Sequence, residues 1–337
     1  MKFPQIPIYK EYGKNDFTPE QLALQEALDK VEVSKKNEKI LRECRDFYLK
    51  SYKFLKNINL SKITLNEAEA IIKFLEKIFN FHGIIWNDIH FKYVYRITVV
   101  NDIFLEDDKV RNSNFLGHPP LDKIKDIGVY NRANTPNSTV LYCSFHPNIA
   151  LLEIKPKVGQ RIIITEWYKE SEKPFNSYPI LKKDTDINEG LVRASKAFDK
   201  TMAQENHYLR SILNQYFQFI GSEFVKDTPI VSPKKFEYLY SAYFADKVLE
   251  NKFAVGDPTP HYDCIIYPSI AATHLTDNLA IHPESAKKLK PVFMEDCIVV
   301  NTRYDHFDLT SGKSVIDRQV LRSAEVIDDG KIIWSDD

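Results

Sequence analysis

Glycine is in short supply: the chain of 337 residues holds only 10. None of them falls in a G-x-G-x-x-G or G-x-x-x-x-G-K-[ST] arrangement. Loops that cradle phosphate through bare backbone, as in dinucleotide-binding and P-loop folds, are therefore excluded. No stretch of about 18 apolar residues is present to form a membrane-spanning helix. The start, "MKFPQIPIYKEYGK", has neither an apolar core nor a cleavage-like site, so it does not read as a signal peptide. The four cysteines, Cys44, Cys143, Cys264 and Cys297, are scattered with no C-x-x-C, which predicts reduced thiols in a cytoplasmic protein. A formal net charge of −1 gives no basic field of the kind that draws a protein to nucleic acid.

Metal and acyl-transfer chemistry are also poorly provided for. Nine histidines form no H-E-x-x-H, and no Cys/His cluster has zinc spacing. His274 and His282 flank Asp277 without completing a ligand set, so no metal is expected. There is no G-x-S-x-G elbow, and Ser269 in "YPSI" reads as a turn or ligand hydrogen-bonding group rather than a nucleophile.

What is present is aromatic and patterned: 21 Phe and 18 Tyr. After an arm over residues 1–17, Thr18, Pro19 and Gln21 in "TPEQLALQEAL" spell a helix start, as do Thr64 and Glu67 in "TLNEAEAIIKFLEKIF". "KILRECRDFYLKSYKFL" lies between them with helical period, so residues 1–88 are expected to be a helical packing or partner-binding region. From about residue 90 the texture is that of strands: "FKYVYRITVV", "NSTVLYCSF", "QRIIITEW", "YDCIIYPSI", "NLAIHP", "FMEDCIVVNTRY" and the segment from Val315 onward. "HPNIALLEI" reads as a short helix opened by Pro147 and capped by Ser144 or His146. "YKESEKPFNSYPILKKDTDINE" reads as a loop insertion, and residues 194–225 and "SPKKFEYLYSAYFADKVLEN" as helices, the latter opened by Ser232 and Pro233. The expected class is α+β, with residues 89–337 as the catalytic domain.

The densest stretch is "NRANTPNSTVLYCSFHPNIALLEI", residues 131–154. It places a cation (Arg132), a phenol (Tyr142) and a carboxylate (Glu153) among residues that otherwise read as core: Val140, Leu141, Ile149, Ala150, Leu151, Leu152 and Ile154. A carboxylate at the margin of a core is costly unless paired or solvated in a cleft. One reading is a salt bridge to Arg96 or Arg132. The other is an anionic-nucleotide site, with a guanidinium for phosphate, a phenol face for a planar ring and a carboxylate for a sugar.

"PPLDKIKDIGVYNRANTPNSTVLYCSFHPNIALLEIKPKVGQRIIIT" resembles the signature of the RES family, named for its arginine, glutamate and serine. "YLYSAYFADKVLENKFAVGDPTPHYDCIIYPSIAATHLTDNLAIHP" is similar to a later family segment. The resemblance covers about residues 91–285, departing from the family pattern at Asn131 and Asn137, where glycine is usual. It implies a mixed β-core like that of ADP-ribosyltransferase toxins, with flanking helices. The implied activity is cleavage of NAD at the nicotinamide–ribose bond by hydrolysis or phosphorolysis, or transfer of ADP-ribose to a protein. NAD is then the substrate and no prosthetic group is needed. Carried over by motif, Glu153, Arg132 and Tyr142 are catalytic, and Arg96, Ser269 and Asn278 bind substrate. The family further implies a growth-arresting toxin restrained by a helix-turn-helix antitoxin, and a homo-oligomer is compatible with it. A non-catalytic nucleotide-binding or interaction module, with the N-terminal helices doing the work, is the reading from a different class.

Overall fold

The computed structural model describes residues 1–5, 35–79, 87–100, 105–181, 189–226, 236–250, 262–270, 276–304, 313–328 and 330–336. The helix start expected at Thr18 lies outside them, as do Ser232 and Pro233. The other expected N-terminal helices are present: α1 over Lys35–Lys56 and α2 over Leu65–Ile78. The Thr64 hydroxyl accepts from the Glu67 backbone N–H, and the Glu67 carboxylate accepts from the Thr64 N–H, closing the capping box. The buried face of α2 is Ala68, Ile71, Phe74, Leu75 and Ile78, at helical spacing.

The rest of the fold is built on one nine-stranded sheet in the order β1-β7-β8-β9-β5-β2-β6-β10-β11. Its strands are β1 (Asn87–Ile89), β2 (Tyr93–Val99), β5 (Leu141–Ser144), β6 (Arg161–Lys169), β7 (Phe175–Pro179), β8 (Cys264–Pro268), β9 (Asp277–Ile281), β10 (Leu289–Thr302) and β11 (Ile316–Ala324). Two small hairpins, β3/β4 (Leu105–Glu106, Lys109–Val110) and β12/β13 (Val326–Asp328, Lys331–Ile333), stand beside it. The helices are α3 (Leu121–Ile127), α4 (Pro147–Ile154), α5 (Glu189–Met202), α6 (His207–Phe224), α7 (Leu239–Leu249) and the single turn α8 (Pro283–Ala286). The class is α+β, with the N-terminal helices preceding the sheet. No described helix is long and apolar enough to cross a membrane.

Two expectations are corrected. The stretch read as a loop insertion contains β7, which pairs antiparallel with β1 and parallel with β8. Its two prolines misled: Pro174 precedes the strand and Pro179 ends it, so neither removes a central ladder bond. Phe175, Ser177 and Tyr178 are buried, and that burial outweighs the polar composition around them. The helix expected over residues 194–225 is two helices, because Asn206 breaks the run and caps α6 by accepting from the Tyr208 N–H.

The sheet is nearly two sheets. β2 matches β6 over seven residue pairs, Tyr93↔Tyr168 through Val99↔Ile162. Between β2 and β5 the register holds only one pair, Tyr95↔Ser144. The strands diverge beyond it, so the half β1-β7-β8-β9-β5 and the half β2-β6-β10-β11 meet at a gap. Helix α4 follows β5 directly and packs Ile149, Ala150, Leu151 and Leu152 against Ile97, Ile162 and Ile164 of the second half.

On the other half, one large apolar cluster joins α1 and α2 to α6, α7 and the sheet residues Ile265, Tyr267 and Ala280. Tyr52 of α1 stacks on Phe219 of α6 with ring centroids 5.4 Å apart. Phe79, at the end of α2, meets Tyr216 edge-on at 5.4 Å. The Tyr240 hydroxyl of α7 donates to the Leu55 carbonyl at 3.1 Å.

Candidate functional site

Glu153 sits on the last turn of α4. The helix begins as the sequence suggests, with Pro147 in its first turn, and of the two candidate caps His146 is used: its Nδ1 accepts from the Asn148 N–H. It ends at Lys155, whose φ of 48° is left-handed and whose N–H returns to the Leu151 carbonyl. Ile149 to Leu152 are buried, whereas Ile154, expected in the core, is 41% exposed. Glu153 is thereby held half-buried at the edge of an apolar layer.

The carboxylate is gripped on one side only. Ser269 Oγ donates to Glu153 Oε1 at 2.5 Å, and Asn278 Nδ2 donates to the same oxygen at 2.7 Å. Both donors are buried, Ser269 fully and Asn278 at 2% exposure. Asn278 is itself oriented, because Ser144 Oγ donates to its Oδ1 at 2.5 Å, which turns the amide nitrogen toward Glu153. Oε2 receives no bond from the described residues and remains open to a ligand. Neither Arg96 nor Arg132 forms an ion pair with Glu153, so the salt-bridge reading of this carboxylate is not what the fold builds.

Tyr142 organises a second group of residues. Its hydroxyl accepts from the Ala133 N–H at 2.8 Å and donates to Asn134 Oδ1 at 2.9 Å, tying the loop before β5 to the strand. Burial pushes this phenol far above its usual range, so it stays a neutral hydrogen-bonding group. The two asparagines standing where the family has glycine need no glycine: positive φ among non-glycine residues is confined to Asp107, Asp108 and Lys155 in the described chain. The Arg132 guanidinium lies 4.9 Å from the centroid of the Tyr238 ring and donates to the Tyr238 hydroxyl at 3.0 Å. It also donates to the carbonyls of Phe224 and Lys226 at the C-terminus of α6, where a cation complements the helix dipole.

Arg96 is placed at the gap between the half-sheets. It donates to the Tyr142 carbonyl at 3.3 Å, across the point where the β2–β5 ladder has opened. Its Nε is buried without a partner, and among the described residues no carboxylate pairs with it. Burial lowers its pKa from the usual guanidinium value. Strand alternation turns Arg96 away from the face that carries Tyr95, Ser144 and Asn278, so it borders the Glu153 group through the backbone rather than by side-chain contact.

The structure therefore brings Glu153, Ser269 and Asn278 together directly. Tyr142 and Arg132 form an adjoining group, and Arg96 lies at the gap beside it. The buried Tyr267 joins the two groups: it lies opposite Asn278 in the β8–β9 ladder and close enough to Glu153 and Arg132 to feel their charges. Four residues of this site escape a reading of the sequence: Ser144, Asn134, Tyr238 and Tyr267. Only Ser144 left a trace, as a candidate helix cap two residues past Tyr142. Among the described residues no group of three or more His, Cys, Asp or Glu could hold a metal. His274 lies outside them.

No curated protein and no solved structure matches the chain. A family model, that of the RES domain, matches residues 110–298 and so takes in Arg132, Tyr142, Glu153, Ser269 and Asn278, with Arg96 just ahead of it. That match covers more than half of the chain and meets the residues that the fold gathers around one carboxylate: the chain belongs to the RES domain family.

Proposed function

We propose that this protein cleaves NAD at the nicotinamide–ribose bond, by hydrolysis or phosphorolysis. The observation that carries the proposal is the Glu153 carboxylate, with Oε1 fixed by two buried donors and Oε2 left open. Breaking the C1′–N bond sends the electron pair to the nicotinamide nitrogen, which leaves as a neutral ring. Positive charge then develops on the ribose, as in glycoside cleavage. A preorganised carboxylate at that position stabilises the transition state more than the uncharged ground-state sugar. The ribosyl cation is captured by water or phosphate. A protein side chain as acceptor would make the same site an ADP-ribosyltransferase. Ser269 and Asn278 fix the carboxylate and border the nicotinamide side. Tyr142 supplies an apolar ring face, and Arg132 and Arg96 supply positive charge toward the pyrophosphate. NAD is the substrate, and no prosthetic group is called for.

Incubation of the purified protein with NAD, with and without phosphate, followed by chromatography, tests this. Free nicotinamide with ADP-ribose, or with ADP-ribose 1″-phosphate when phosphate is present, is the expected result. Intact NAD together with saturable NAD binding would instead mark a nucleotide-binding module. In the cell the same chemistry makes the protein a growth-arresting toxin, held in check by a helix-turn-helix partner. Uninhibited expression is expected to lower NAD and stop growth, and normal growth with unchanged NAD at confirmed expression of folded protein would count against that role.

Arg132→Ala should have two separable effects. Losing charged hydrogen bonds to the α6 carbonyls and to Tyr238 should destabilise the fold by about 1.5–3 kcal/mol, visible as a lower Tm. Losing positive charge beside the site should also weaken NAD binding in whatever fraction is folded. A variant that melts earlier yet binds NAD as the wild type does would confine Arg132 to the structural task.

A further inference from the structure

The register of the central strands carries a pattern that the Glu153 site does not use up. Tyr267 of β8 lies opposite Asn278 of β9, Asn278 opposite Ser144 of β5, Ser144 opposite Tyr95 of β2, and Tyr95 opposite Glu166 of β6. Directly opposed residues share a face, so five adjacent strands place a hydrogen-bonding side chain in one row. On that face the neighbouring positions to one side are mostly apolar: Ile265, Ala280, Ile97 and Ile164. To the other side of Tyr95 and Glu166 lies the pair Tyr93↔Tyr168, with ring centroids 5.4 Å apart and Tyr93 43% exposed.

The far end of the row is a second carboxylate. Glu166 is half-buried, lies directly across from Tyr95 in the β2–β6 ladder, and makes no ion pair with the described residues. Three inter-strand steps separate β6 from β9, where Glu153 is anchored, which is about 14 Å at ordinary strand spacing. The gap that holds the Arg96 charge falls between them. A half-exposed aromatic pair next to a carboxylate with no ion pair is what a nucleoside needs: a surface on which a base stacks, and an acceptor for ribose hydroxyls.

We infer that Glu166, opposite Tyr95 and flanked by the Tyr93–Tyr168 pair, forms the subsite for the adenosine end of the dinucleotide and selects a free ribose 2′-hydroxyl over a 2′-phosphate. This rests on the NAD-cleavage reading and extends it to the opposite end of the same ligand. Glu153 and Glu166 toward the two ends of the row match the two riboses of one dinucleotide, with the pyrophosphate spanning the stretch between them. A 2′-phosphate would bring a second negative group against Glu166 and be rejected.

Calorimetric titration of the full chain with ADP-ribose and with 2′-phospho-ADP-ribose tests this without any bond being cleaved. The wild type should prefer ADP-ribose by at least roughly 30-fold, since like charges brought together at a desolvated contact cost several kcal/mol. Glu166→Gln should shrink that preference to within about 5-fold, because the repulsion is gone. Tyr168→Ala should weaken both ligands about tenfold, the usual scale for losing one stacked ring, and leave their ratio unchanged. If Glu166→Gln does not fold, Glu166→Asp takes its place: the charge is drawn back by one methylene, and the preference should fall. A wild type that binds the two ligands equally, or a folded Glu166→Gln with the wild-type ratio, overturns the subsite. Because binding and cleavage are read separately, NAD turnover with no such preference would sink this inference alone. Preference without turnover would sink the cleavage reading alone.

Discussion

Glu153→Gln is expected to lower NAD turnover by roughly 10²-fold or more, equivalent to about 2.7 kcal/mol of transition-state stabilisation, while the melting temperature stays near that of the wild type. The contacts make this a clean substitution. Both protein donors, Ser269 Oγ and Asn278 Nδ2, go to Oε1, and a glutamine carbonyl oxygen can accept both in the same place. The new NH2 group falls at Oε2, which no described residue bonds. The fold thus keeps its hydrogen bonds and loses only the charge that faces the ligand. NAD affinity should change much less than rate, because the ground-state ribose carries no positive charge for the carboxylate to meet. Thermal melting, NAD binding and single-turnover cleavage on one preparation separate these effects. Near-wild-type turnover by the folded variant would remove Glu153 from the mechanism. A large drop in melting temperature with turnover per folded molecule intact would make it a structural group.

Deleting the chain ahead of residue 88 is expected to abolish the folded state rather than trim a separate module. The faces of α6 and α7 that would be uncovered include Tyr216, Phe219, Tyr240 and Phe244, all buried to 1% exposure or less. Each such side chain contributes about 1.5–3 kcal/mol through burial, so losing cover over several of them is comparable to a whole domain's stability of about 5–15 kcal/mol. The hydrogen bond from the Tyr240 hydroxyl to the Leu55 carbonyl would go as well. The truncated protein should aggregate, or lose its near-ultraviolet dichroism and sharp melting. A soluble, cooperatively melting fragment that cleaves NAD as the full chain does would show that the helices are an accessory.

Much of the local structure was legible in the residues. Period 3.6 and the Thr64–Glu67 pair located α2. Pro147 located α4, and runs of β-branched and aromatic residues located β2, β5, β6 and β8 to β11. These signals work because they are local: a cap or an alternation acts within a few residues. β7 was hidden for the opposite reason. Its stability comes from neighbours distant in sequence, Asn87–Ile89 and Cys264–Ile266, while its own composition is that of a loop.

The site divides along the same line. The sequence by itself determined that Glu153 would stand at the margin of an apolar layer near Tyr142, since one short strand and one short helix carry both. Motif order also gathered Arg132, Ser269 and Asn278 into one family pattern. Only the tertiary structure decided what each group does. It gave Glu153 two donors on one oxygen and no cation, and it turned Arg132 toward the carbonyls at the end of α6. It also made Ser144 the group that orients Asn278, and lined up Tyr95 and Glu166 beyond it. Each of these depends on strand register, and a shift of one residue would send every side chain of a strand to the other face. Register is fixed by the packing of the whole sheet against α4, α6 and α7, and no short stretch of sequence carries it.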